Sequence, residues 1–209
     1  MYKVKKMEQL LRTKIYFRVR KTSIEMLEDR GYEVSEEDKN MNYEDFTNRL
    51  EENAIQLIAT FRQNPIKIAY VAFILDAKSF TKKDLVALKA TMDEKYPANE
   101  VTVIIVQDKQ TPQITKELLN DEYKLYEIFS MKNLMFNITH HEIVPKHILL
   151  SQEDVDLILK QYQTTRAQLP KLLTTDPVAK YYGMKAGDVC KIIRQSPMTG
   201  ESYYYRILK

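Results

Sequence analysis

The sequence predicts an α/β fold, α+β overall, with a mixed sheet in an N-terminal domain and a smaller α+β domain behind it. Two observations carry this prediction. Between residues 55 and 130 apolar strand-like runs alternate with amphipathic helical stretches, the pattern of a sheet with some parallel pairing. After about residue 135 that alternation gives way to short capped helices and period-two strands, which places a boundary there, with domains at 1–135 and 136–209.

The elements follow in order. "KMEQLLRTKIYFRVRKTSIEMLEDRGY" reads as one long helix. Leu10, Phe17 and Ile24 recur at heptad spacing, with Met7 and Leu27 beside them, as one apolar stripe. Gly31 stands where a helix stop belongs. "NYEDFTNRLEEN" is a second, shorter helix, and "IQLIATFR" a strand closed by Asn64-Pro65. "IKIAYVAFIL" is a buried strand. Thr81 caps a helix with Asp84 at its third position and Leu85, Leu88, Met92 and Tyr96 on its inner face. "VTVIIV" is a further buried strand. Pro112 suits the first turn of "PQITKELLN", and "YKLYEIFS" and "LMFNIT" read as strands.

In the second domain Ser151 caps "QEDVDLILKQY". Asp176, Pro177 and Gly183 mark the cap, first residue and stop of a two-turn helix within "TDPVAKYYG". "GDVCKIIR" and "SYYYRILK" alternate as strands around the loop "QSPMTGE".

Composition narrows the function classes. With 44% hydrophobic and 29% charged residues the chain is ordinary for a globular protein. The longest apolar run, Ile68 to Leu75, is too short to span a bilayer, and the charged N-terminus does not read as a secretory leader. A single cysteine, Cys190, fits a reducing compartment. The 4 glycines form no phosphate-binding loop. Charge is unevenly spread. Residues 1–30 hold nine basic and four acidic side chains, residues 160–209 nine and three, and the middle is net acidic. Both ends are therefore expected near something acidic, either nucleic acid or another subunit.

All three histidines, His140, His141 and His147, fall within "NITHHEIVPKH". They are too few for a structural zinc site without nearby cysteines, and Pro145 breaks any helix that would align His141 with His147. No nucleophile or orienting acid accompanies them, so packing and hydrogen bonding around the Pro145 turn is the expected role, with no metal and no cofactor. "LDAK" sets Asp76 and Lys78 two apart after a strand, half of a restriction-endonuclease metal site, although no upstream acidic partner can be identified. A Mg-dependent nuclease and a free-standing basic DNA-binding protein are thus the alternatives. The acidic middle disfavours the second.

"NITHHEIVPKHILLS", "LPKLLTTDPVAKYYGMKAGDVCKIIR" and the closing "YYYRILK" resemble the C-terminal assembly domain of the fifth shared subunit of eukaryotic nuclear DNA-dependent RNA polymerases, a domain that by itself makes up the archaeal counterpart. "LEDRGYEV" and "KQTPQITKELL" resemble the N-terminal jaw domain of that family more weakly. The resemblance implies a non-catalytic subunit of a nuclear polymerase. Its C-terminal domain would dock on the largest subunit, and its N-terminal domain would form part of the lower jaw near downstream double-stranded DNA. A copy encoded by a large DNA virus would work in the cytoplasm instead. His141, Pro145, His147, Pro170, Asp176, Pro177, Gly183, Gly187, Arg194 and Arg206 are implied as assembly or structural positions. Thr111 and Pro112 are implied as facing DNA, where a helix N-terminus also suits a phosphate. Two departures stand out. Gln113 and Ile114 replace the family's usual Ser-Ala, and Glu201 replaces an arginine in the last hairpin, where a partner contact would be reversed or absent.

Overall fold

The computed structural model describes residues 2–51, 55–74, 80–108, 112–118, 120–196, 198 and 200–209. The chain divides into two compact units, Met1–Phe136 and Asn137–Lys209.

The first unit is built on a five-stranded mixed sheet, ordered β1 (Tyr32–Val34), β2 (Leu57–Phe61), β3 (Asn64–Ile74), β4 (Glu100–Gln107), β5 (Tyr126–Ser130). The first three strands pair antiparallel and the last three parallel. The parallel connections run through α4 (Lys82–Lys95) and α5 (Pro112–Glu117). Alternation along the strands sends Tyr70, Ala72, Val103 and Ile105 to the face that α4 and α5 cover with Leu85, Met92 and Ile114. Leu88 and Tyr96 pack against the same core. Val71, Ile104 and Val106 point the other way and are fully buried.

α1 (Tyr2–Asp29) lies on that second side and packs against β1, α3 (Tyr43–Glu51) and the 3-10 turn Met131–Leu134. Its buried stripe includes Val19, Ile24, Met26 and Leu27, while Met7 and Leu10 of the expected stripe are exposed. Arg30 donates to Glu127 at 2.8 Å and lies 5.8 Å from the Phe129 ring centre, tying the end of the helix to β5. Gly31 is left-handed at φ +88, and a Cβ there would meet the Phe61 ring at 3.2 Å, so glycine is required both by conformation and by space. A one-turn helix, α2 (Glu36–Lys39), precedes α3. Its Asp38 accepts from Arg20 at 2.6 Å and from Arg49 at 3.1 Å. Burial lowers the Arg20 pKa against the opposing pull of Asp38.

The second unit holds a four-stranded sheet ordered β6 (Lys146–Leu149), β8 (Val189–Ser196), β9 (Gly200–Leu208), β7 (Lys171–Leu172). β7 and β9 run parallel and the other pairs antiparallel. Leu172, Cys190, Ile192 and Leu208 form one core with Ala179 of α7 (Pro177–Tyr181) and Met184. On the opposite sheet face Tyr162, which ends α6 (Gln152–Gln161), meets the ring of Tyr205 at 5.7 Å.

Three expectations are corrected. "LMFNIT" is not a strand: Met131–Leu134 and Ile138–His140 are 3-10 turns, and Leu134 is buried through the first of them. Asn64-Pro65 does not end a strand but opens β3. The hairpin turns at Arg62 and Gln63, and Pro65 sits where the register is broken, so its missing N–H leaves no ladder bond unmade. The loop 195–201 is shorter than expected, because β8 runs on to Ser196 and β9 begins at Gly200.

Candidate functional site

The residues singled out in the second half of the chain gather around one sheet and one small helix. Asp176 caps α7: its Oδ1 accepts from Val178 N at 2.8 Å and Ala179 N at 3.2 Å. Pro177 takes the first helical position, where its missing N–H costs nothing. Gly183 ends the helix at φ +64, with its N–H donating to Lys180 O at 2.9 Å. Gly187 stands at φ +92 and donates to Leu208 O at 3.0 Å, closing the turn into β8. These positions build the domain rather than present chemistry.

Other residues lie where a partner can reach them. Arg194 is exposed on β8, its guanidinium 4.8 Å from the ring centre of Tyr204 on β9. On the opposite face Lys191 sits 3.9 Å from the Tyr203 ring centre. Each cation rests on an aromatic face and keeps donors available. Arg206 donates to Lys171 O at 3.4 Å, and Pro170 O accepts from Ile207 N at 2.9 Å, so both serve the β7–β9 seam. Glu201 accepts from Gln195 at 3.3 Å across the hairpin. Its carboxylate also holds the Tyr203 hydroxyl pKa above the usual phenol value.

The histidine cluster is local. His141 Nδ1 accepts from Ile143 N at 3.2 Å, and His147 Nδ1 donates to Pro145 O at 2.7 Å. His147 belongs to β6 and pairs with Ile192. Asn137 donates to the Tyr181 hydroxyl at 3.0 Å and accepts from Thr139 N at 3.0 Å, fixing the start of the unit. Among the described residues no group of three or more His, Cys, Asp or Glu is placed to hold a metal.

In the first unit, Pro112 is exposed and opens α5, a helix of 6 residues. Thr111 lies outside the described residues, as do Asp76 and Lys78. Ile114 is 1% exposed and belongs to the core under the sheet, which is a physical reason for a large side chain where the family has a small one. One residue escaped the reading of the sequence. Gln107 ends β4 at 2% exposure, and neither its Oε1 nor its Nε2 has a hydrogen-bond partner among the described residues. The signal was there: a primary amide closes the apolar run "VTVIIV" just before the connection to Pro112.

The family model described as RNA polymerase Rpb5, C-terminal domain, matches residues 136–208, and that described as RNA polymerase Rpb5, N-terminal domain, matches residues 11–92. A Dictyostelium discoideum protein named DNA-directed RNA polymerases I, II, and III subunit rpabc1 is 34% identical over 194 residues, covering 90% of this chain and 94% of its own. The Caenorhabditis elegans subunit RPABC1 is 32% identical over 210 residues, covering 95% and 97%. An Arabidopsis thaliana protein named DNA-directed RNA polymerase subunit 5-like protein 1 is 33% identical over 200 residues, covering 91% and 93%. The chain belongs to the RNA polymerase Rpb5 family, whose members are non-catalytic subunits of DNA-directed RNA polymerases.

Proposed function

We propose that this chain is built into a multisubunit RNA polymerase of the nucleus, where residues 137–209 dock on the largest subunit and residues 1–136 form part of the lower jaw beside downstream DNA. The observation that carries the docking reading is the match of the C-terminal family model to residues 136–208, nearly the whole of the compact second unit. Within that unit Asp176, Pro177, Gly183, Gly187, Pro170, Arg206, His141, Pro145 and His147 act by shaping the surface. Arg194 meets the partner directly, since its guanidinium is exposed and held against Tyr204.

The jaw reading rests on the resemblance of Thr111 and Pro112 to the family's Thr-Pro segment. Contacts of this kind grip the DNA backbone without reading sequence. Purification of the polymerase through a tag on the full-length chain tests the assembly. The largest subunit should be recovered in equal amount, and cross-linking from position 111 should reach downstream DNA in an elongation complex. A tagged chain that is folded but recovered without the largest subunit contradicts the docking, and no DNA cross-link removes Thr111 and Pro112 from the DNA path.

A further inference from the structure

The β8–β9 hairpin outruns the strands beside it. β9 is 9 residues long, yet β7 pairs with it only at Ile207 and Leu208. Leu208 N donates to Asp188 O at 2.8 Å and Gly187 N to Leu208 O at 3.0 Å, whereas Ile207 N donates the other way, to Pro170 O at 2.9 Å. Successive residues of an antiparallel strand alternate between its two edges. The β8–β9 register is unbroken back to Gly200, so Arg206, Tyr204 and Ser202 face β8, and Glu201, Tyr203 and Tyr205 turn their N–H and C=O groups to the other edge. Among the described residues no strand pairs with that stretch. An open row of backbone donors and acceptors is a template for another chain.

Two cations reach over from β8 toward this edge, one on each face of the sheet. Lys191 lies 3.9 Å from the ring centre of Tyr203, and the exposed Arg194 lies 4.8 Å from that of Tyr204. Between Val189 and Leu208 the basic residues are Lys191, Arg194 and Arg206, and the one acidic residue is Glu201, which already accepts from Gln195 at 3.3 Å. The edge is therefore open along its backbone and cationic on both sides.

We propose that this edge of β9 receives an extended acidic segment of the largest subunit as a further strand of the sheet, bonded through Glu201, Tyr203 and Tyr205, with carboxylates meeting Lys191 on one face and Arg194 on the other. The inference deepens the docking reading and rests on it for the identity of the partner. Backbone chemistry selects a strand. A helix has already bonded its own N–H and C=O groups, and a lipid surface offers no ladder to complete. β7 already occupies the same edge further along. Charge selects an acidic segment over a second copy of this chain, because β9 paired with itself around Tyr203 would bring the Lys191 side chains of the two copies onto adjoining rings.

The test uses the purified full-length chain and a short synthetic peptide of threonine and glutamate, with glutamates at neighbouring positions so that both faces of the strand carry one. Fluorescence anisotropy should show it binding roughly tenfold or more tightly than a lysine-for-glutamate version, and binding should weaken with salt. N-methylation along one edge of the peptide leaves its other edge free to pair and should change binding little. N-methylation along both edges should weaken binding by about tenfold or more. Tyr203→Pro removes an outward N–H that the β8 ladder does not use and should weaken binding as well, as should Lys191→Glu with Arg194→Glu. Should Tyr203→Pro lower the melting temperature, the methylated peptides on the parent chain decide in its place. Undiminished binding of the peptide methylated on both edges, equal binding of the lysine version, parent-like binding by the charge variant, or no binding at all overturns the proposal. So does self-association of the chain that Tyr203→Pro abolishes. Any of these results beside recovery of the largest subunit by the tagged chain discards the edge and leaves the docking standing.

Discussion

Asp176 is the side chain whose contribution can be stated most simply. Its carboxylate satisfies two backbone N–H groups of α7 at 2.8 and 3.2 Å, so Asp176→Ala should destabilise the protein by about 1 kcal/mol in a denaturant titration. At Gly183 the left-handed φ of +64 penalises any β-branched residue; Gly183→Val should cost about 1–2 kcal/mol in the same experiment. Gln107 behaves in the opposite sense. A buried amide with no partner among the described residues carries an uncompensated desolvation cost, so Gln107→Leu should stabilise the protein by about 1 kcal/mol, and a lowered melting temperature would mean that the amide is bonded in solution. The caps and stops at Ser151, Asp176, Pro177 and Gly183 were legible because each is a local rule written in a few residues. The ring-stacked cations Lys191 and Arg194 were not, because they depend on the β8–β9 register, which brings Ile193 opposite Tyr203 and Ile192 opposite Tyr204.

Among the elements, those with a full period were readable: α1, α4, β4, and the β8–β9 pair. β6 was missed because "KHIL" offers four residues in a histidine-rich stretch, and only pairing with β8 makes it a strand. "LMFNIT" failed for the converse reason. Its strand-like composition is used to bury Leu134 through a 3-10 turn. Of the expected α1 stripe Ile24 and Leu27 are buried and Phe17 is half-buried, whereas Met7 and Leu10 are exposed, and Val19 and Met26 complete the buried face instead. Where α1 ends, Arg30 is a buried cation held by Glu127 and the face of Phe129. Removing the acid takes its ion-pair carboxylate, 2.8 Å away, from that cation, so Glu127→Ala should destabilise more than Arg30→Met, by about 1 kcal/mol or more, measured side by side in urea. Equal losses would show that the pair acts mainly through packing.

On the scale of the whole molecule, alkaline pH should unfold the chain in a defined window. Burial raises the Cys190 thiol from 9.0 to about 11 and the Tyr126 hydroxyl from 10.0 to about 12. The folded state keeps both protons while the unfolded chain loses them first. Stability is therefore undiminished below about pH 9 and falls as the pH climbs toward 11 and 12. Cys190→Ala should flatten the first part of that decline in thermal melts, and a parent-like decline would contradict the assignment.

Family membership connects this architecture to RNA polymerase, and the proposed function divides the labour between its two units. Residues 137–209 produced alone should show the circular dichroism of a folded α+β domain and co-purify with the largest polymerase subunit, whereas residues 1–136 should not. A folded 137–209 fragment that leaves the largest subunit unbound, with residues 1–136 binding it instead, would contradict the account.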